Sequence, residues 1–169
     1  RAAAGGSPVA QWNLGLQYIG GSLGPQAAVA GAPWISRAAE QGYPPAMTSL
    51  GNNYLEGSGV PQDDAKALDL FRRGAELGDA GSQGALGKLY PEGRGVTQDN
   101  IEAGFWYRLA GKGRPDFPFG GDVLAGLTTE QSKAIDERVQ TWEAAHPSPK
   151  DVLKAQFKEG TATVEAPQK

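Results

Sequence analysis

Leu50-Gly51-Asn52-Asn53-Tyr54-Leu55-Glu56-Gly57-Ser58-Gly59-Val60 is the stretch from which the fold is read. Its opening, Leu-Gly-x-x-Tyr, also stands at Leu14-Gly15-x-x-Tyr18 and at Leu86-Gly87-x-x-Tyr90, each copy 36 residues from the next. A period of this size predicts a helical solenoid, in which one helix pair cannot bury its apolar face without a neighbour. Such an architecture favours binding along an extended surface over chemistry in a single pocket.

Working outward from the middle copy, Ala46, Leu50, Gly51 and Tyr54 fall on one helical face, which predicts a first helix over 46–54. Gly51 inside a helix costs roughly 1 kcal/mol against Ala. Its recurrence as Gly15 and Gly87 implies a partner helix too close for a side chain. Glu56 to Pro61 reads as a turn, with Val60 between the helices. Gln62-Asp63-Asp64 opens the second helix with carboxylates, Lys66, Ala67, Leu70, Phe71, Gly74 and Ala75 continue it, and Gly78 caps it. The third copy repeats this through Gly93-Arg94-Gly95-Val96, Asp99, Ala103, Trp106, Tyr107 and Ala110. The first copy is looser, with Gly20 to Pro25 in place of the tight turn and Ala27 to Ala32 in place of the charged helix start. Two expectations are specific. Trp34, Leu70 and Trp106, again 36 apart, should stack as one apolar column, and Pro91 should end its helix early.

Several fixed spacings therefore recur together: Leu50-Gly51, Tyr54, Gly57-Ser58-Gly59-Val60, Asp63, Lys66-Ala67 and Gly78. In this the chain resembles the Sel1-like repeat family, which is related to tetratricopeptide repeats. The resemblance covers about residues 9–112. It implies an all-α, right-handed αα-hairpin solenoid of three Sel1-like repeats, at 9–44, 45–80 and 81–113. It also implies a C-terminal capping helix, here over 128–146, because such arrays often close with a helix after a Leu-Thr-x-Glu-Gln start like Leu127 to Gln131. Thr128 with Gln131 is independently a capping box, with Leu127 as its staple, and Ile135, Val139 and Trp142 form the apolar stripe. The remaining expectations are a flexible end over 1–8, a loop over 114–127, and a tail over 147–169 that is partly disordered, with a short helix from Asp151 to Lys158. The departures are Ser82 where Ala10 and Ala46 stand, Glu102 in place of Lys66, and a Gly113 one residue short of the period.

Composition narrows the function. A net charge of −3 with mixed signs offers no basic face for nucleic acid, and no apolar run is long enough to span a bilayer, so direct membrane insertion is not expected. The 169 residues contain no Cys and one His, which leaves no means to build a common zinc site; no metal and no cofactor are expected. No Gly-x-Ser-x-Gly elbow accompanies His146, which reads as a helix-end cap. The Gly57 and Gly93 turns lack the Lys-Ser/Thr of a phosphate loop, and Asp63, Asp64 and Asp99 read as helix-start residues. No catalytic residue is assigned and an enzyme is not expected. Trp34, Trp106 and Trp142 read as core, whereas Trp12 lies off the Leu14/Tyr18 stripe and suits either a cover on an open end of the array or the mark of a removed segment.

The resemblance implies a non-catalytic protein-interaction module: an adaptor, regulator or assembly factor holding a protein or peptide on the concave face lined by the first helices. The residues expected to bind there are Gln11, Asn13, Gln17, Ser49, Asn52, Asn53, Gln83 and Lys88, and Thr48 is a further off-stripe residue beside them. Uncharged amides and hydroxyls suit extended peptide backbone, and equally sugar hydroxyls. The alternatives are a cell-envelope glycan- or peptidoglycan-binding module, and an inhibitor or immunity-type protein of a secreted enzyme. A bacterial protein in the periplasm or outside the cell is expected, with a cytoplasmic one left open.

Overall fold

A computed structural model describes residues 6–20, 25–112 and 120–147. The described elements are helices throughout: α1 (Pro8–Gly20), α2 (Pro25–Glu40), α3 (Pro44–Glu56), α4 (Asp64–Glu76), α5 (Ala80–Glu92), α6 (Asn100–Gly111), α7 (Gly121–Ala125) and α8 (Thr129–Ala145). Each of α1 to α6 packs on the next, α3 also meets α5, and α6 meets α7 and α8. The fold is thus an all-α Sel1-type solenoid of three αα-hairpins with α8 against the last.

The caps explain where the helices begin and end. Asp63, Asp79 and Asp99 hold the N-cap positions of α4, α5 and α6, each carboxylate accepting from backbone N–H groups of the first turn. α3 starts two residues before the expected Ala46, because Pro44 and Pro45 occupy the first turn, where a missing N–H costs little. Its end is the left-handed Gly57, whose N–H reaches the Asn53 carbonyl. The turns then repeat bond for bond: Asp63 N–H donates to the Tyr54 carbonyl at 2.9 Å and Asp99 N–H to the Tyr90 carbonyl at 3.2 Å.

Pro91 does not shorten α5. The helix runs to Glu92 and has the same 13-residue length as α3. A proline in the last turn removes one helical bond, and Gly93 still caps the end in the left-handed conformation.

The glycines of the Leu-Gly-x-x-Tyr motif are where the hairpins close. A Cβ on Gly15 would lie 2.4 Å from Ile35 Cγ1, one on Gly51 2.6 Å from Phe71 Cε1, and one on Gly87 2.6 Å from Tyr107 Cδ1. In all three repeats the intruding side chain stands 20 residues after the glycine, and Ile35 and Phe71 are fully buried. The inter-helix column is therefore Ile35, Phe71 and Tyr107, one residue beyond the expected Trp34, Leu70 and Trp106. Those three diverge: Trp34 is half-buried with the Arg37 guanidinium 5.0 Å from its ring centre, Leu70 packs with Ile35 and Leu50, and Trp106 packs between the second and third clusters.

A second set of glycines joins repeat to repeat. A Cβ on Gly59 would lie 2.3 Å from the Ala28 carbonyl oxygen, and one on Gly95 2.7 Å from that of Asp64. Each turn thus sits on the start of the preceding repeat's second helix, 31 residues back. Arg94 fastens the later one, donating from Nε and Nη2 to both Asp64 carboxylate oxygens and from Nη2 to the Leu55 carbonyl.

At the C-terminal end, Phe105 and Leu109 of α6 pack against Ile135 and Val139 of α8, with Leu127 and Trp142 beside them. Ion pairs Arg108–Asp136, Lys112–Glu143 and Arg138–Glu102 flank this contact. The Thr128/Gln131 capping box is present. The expected 114–127 loop contains α7, whose N-cap Gly120 lies against the Tyr107 ring. Residues 1–5, residues 21–24 of the looser first turn, Gly113, and the suggested 151–158 helix and the tail from 148 lie outside the described residues.

The close approaches give opposite expectations for one type of substitution. Gly51→Ala should destabilise by about 1–3 kcal/mol in a urea melt, because crowding against Phe71 outweighs the roughly 1 kcal/mol propensity gain. Gly20→Ala, with nothing within 4 Å of the added Cβ, should be neutral to stabilising by up to about 1 kcal/mol. Equal effects at both sites would refute the ring-on-glycine account.

Candidate functional site

The eight residues expected on the first helices separate by environment. Asn13 and Gln17 on α1, Asn52 on α3 and Lys88 on α5 are exposed. Gln11, Asn53 and Gln83 are not surface groups: they are 5%, 6% and 3% exposed. Gln11 accepts from Gln41 Nε2 at 2.7 Å, and Gln83 donates to the Ala75 carbonyl at 3.3 Å. The Gln11 and Gln83 amides thus link a first helix to the following or preceding segment. Ser49 is half-buried and occupied, donating to the Pro45 carbonyl and accepting from Trp12 Nε1 at 2.8 Å.

Repeat position explains part of the split. Gln17, Asn53 and Leu89 share one register, 36 residues apart; Gln17 is exposed, while Asn53 and Leu89 are buried. In repeats two and three that register is covered, and α1 has no described helix pair before it. Asn53 Nδ2 has no hydrogen-bond partner among the described residues.

The surviving exposed register is Leu16, Asn52 and Lys88, one residue from each repeat. Asn13 and Gln17 flank it on α1. Asn52 offers two donors and an acceptor, and Lys88 a cation, so the strip can pair with carbonyls, amides and carboxylates. Beside it lies a polar cluster whose role sequence reasoning missed. Thr48 Oγ1 donates to Asp79 Oδ2 at 2.6 Å, Ser82 N–H donates to the same oxygen at 2.7 Å, and the Thr48 and Ser82 hydroxyls meet. This fastens α3 to the N-terminus of α5. The replacement of Ala46 by Ser82 one repeat later was its signal.

Among the described residues no three His, Asp or Glu side chains gather as a metal site, and no helix is long and apolar enough to cross a membrane. His146 caps α8, with Nδ1 2.8 Å from the Trp142 carbonyl and its ring stacked 4.2 Å from the Trp142 ring centre. Trp12 is half-buried against Tyr43, ring centres 5.5 Å apart and edge-on. Burial pushes the Tyr107 phenol above its ordinary pKa, with help from the charge of Glu92.

The Sel1 repeat pattern matches residues 8–43, 44–79 and 80–113, which is more than half of the chain. The chain belongs to the Sel1 repeat family. Sel1 repeats are in general non-catalytic protein-interaction modules. Among solved structures, this Sel1 repeat protein is similar to a protective antigen present in uropathogenic Escherichia coli strains that displays an SLR fold. The two share 26% identity at a TM-score of 0.78, over 99% of this chain and 35% of the antigen. It thus spans about a third of that neighbour's length. It is also similar to a Sel1 repeat protein from Oxalobacter formigenes, 39% identical at a TM-score of 0.63, over 66% of this chain and 86% of that one. Nothing among curated proteins matches it.

Asn53 yields a direct test of the burial argument. Asn53→Leu, the residue found at the equivalent Leu89, removes a buried amide whose Nδ2 is unpaired and should stabilise by about 1–3 kcal/mol in a urea melt. A destabilised variant would mean that the amide has an essential partner.

Proposed function

We propose that this Sel1 repeat protein is a non-catalytic adaptor, regulator or assembly factor that holds a protein or peptide on the exposed strip of its first helices. The observation that carries the reading is the register Leu16, Asn52 and Lys88, exposed once per repeat. An extended chain running along the array would meet an apolar, an amide and a cationic group in turn. Asn13 and Gln17 extend this surface at α1.

Trp12 does not offer an open sugar platform on the first helices, which leaves Tyr18 as the exposed ring of α1. The Trp12 indole N–H is already donated to Ser49, and its ring packs against Tyr43. The description of one structural neighbour as a protective antigen supports placing this protein in the periplasm or outside the cell.

The partner is to be identified by capture from the native organism on the immobilised chain, with mass spectrometry, and its affinity then measured on the purified pair. Asn52→Ala with Lys88→Ala should leave the melting temperature nearly unchanged, as both sites are exposed. The same double variant should weaken binding about tenfold or more, roughly 1.4 kcal/mol. Wild-type affinity in the double variant would remove this face from consideration.

A further inference from the structure

The two junctions between repeats are built differently. At the junction of repeats two and three, Trp106 of α6 packs on the cluster formed by Leu68, Phe71, Leu86 and Leu89, and its ring lies edge-on to Phe105. At the junction of repeats one and two the equivalent residue, 36 positions earlier, is Leu70. A groove of about 470 Å³ lies there between α2 and α4. Its apolar lining comes from Ala39, Leu50, Tyr54 and Leu70. Ligand pockets are typically about 300–1,000 Å³, apolar, with a few placed polar groups.

The rim supplies those polar groups. Asp63 pairs with Lys66 at 3.1 Å, and Asp69 with Arg73 at 3.8 Å. The fifth charge, Glu40, accepts from the Ser36 hydroxyl at 3.0 Å and has no cationic partner among the described residues. It is also the last residue of α2, where the helix dipole itself favours a cation. The rim is thus one negative charge in excess, and that charge stands at the mouth of an apolar slot.

We infer that this groove is a second binding site, which takes an aromatic side chain of a partner peptide carrying a cationic residue beside it. The ring lies in the groove beside Leu50 and Tyr54, whose own ring already carries the Lys66 ammonium 5.3 Å from its centre. The adjacent cation meets Glu40. The site is separate from the first-helix strip and does not depend on it.

The test uses the whole chain and the tripeptide acetyl-Lys-Trp-Lys-amide, followed by amide chemical-shift changes in a nitrogen-15 NMR titration. The peptide should move the signals of Ala39, Tyr54 and Leu70. Acetyl-Lys-Ala-Lys-amide and acetyl-Glu-Trp-Glu-amide should each bind about tenfold more weakly or worse. Leu70→Trp should fill the groove and abolish binding while keeping or raising the melting temperature. Glu40→Gln, at an exposed site, keeps the test open should Leu70→Trp fail to fold; it should weaken the Lys peptide and leave the Glu peptide unchanged or improved. The Asn52→Ala/Lys88→Ala variant should bind the tripeptide as wild type does. The inference fails if folded Leu70→Trp or Glu40→Gln binds like wild type, if the alanine peptide binds equally well, or if the shifts map to α1 and α5.

Discussion

Each hairpin depends on one steric arrangement, a side chain of the second helix seated where a glycine of the first has no Cβ. Ile35 fills this place over Gly15, Phe71 over Gly51 and Tyr107 over Gly87. The volume released by the absent methyl group is taken up by a much larger buried side chain, so the helix-propensity cost of the glycine is outweighed by packing. The arrangement also constrains register. A side chain can enter that gap at one helical phase only, so the spacing from glycine to filler is the same 20 residues in all three repeats. Tyr107 is held on a second side by Gly120, which ties α7 to the last hairpin.

Between hairpins the contacts are less uniform. Gly59 and Gly95 let each turn rest on the helix start of the repeat before it, and this backbone contact is common to both junctions. What is added to it is not. The Arg94–Asp64 fork has no counterpart one repeat earlier, where Ser58 and Ala28 stand. Thr48, Asp79 and Ser82 lock α3 to α5. Trp106 packs at one junction where Leu70 packs at the other, and a groove lies beside each. In a repeat protein the shared contacts make the scaffold, and the departures between repeats are where distinct surfaces arise.

The far end is closed differently again. α8 covers α6 with Ile135 and Val139 and presents charged residues outward. A polar outer face of this kind shields the last repeat from water and from further stacking. The exposed register of Leu16, Asn52 and Lys88 and the α2/α4 groove are two surfaces in which chemistry and shape combine.

The array itself was legible from residues that act locally. The 36-residue recurrence, the aspartates at helix starts, the left-handed glycines and the Thr128/Gln131 box each specify structure within a few positions of themselves. So they read correctly as three hairpins and a cap. Pro91 misled because the effect of a proline depends on its place in the helix, and in the last turn it removes little. The column was misplaced by one residue because a helical stripe is broad enough for Trp34, Leu70 and Trp106 to compete with their neighbours. The binding residues were less legible still. Gln17, Asn53 and Leu89 share one register, but burial at that register depends on what packs over it from another repeat, which no local pattern encodes. Thus Gln11, Asn53 and Gln83 read as surface amides and lie inside. The sequence by itself determined the repeat unit, because capping and hairpin closure are short-range. Only the tertiary structure decided which polar groups face water and where grooves form between repeats, because both depend on how one helix packs against the next.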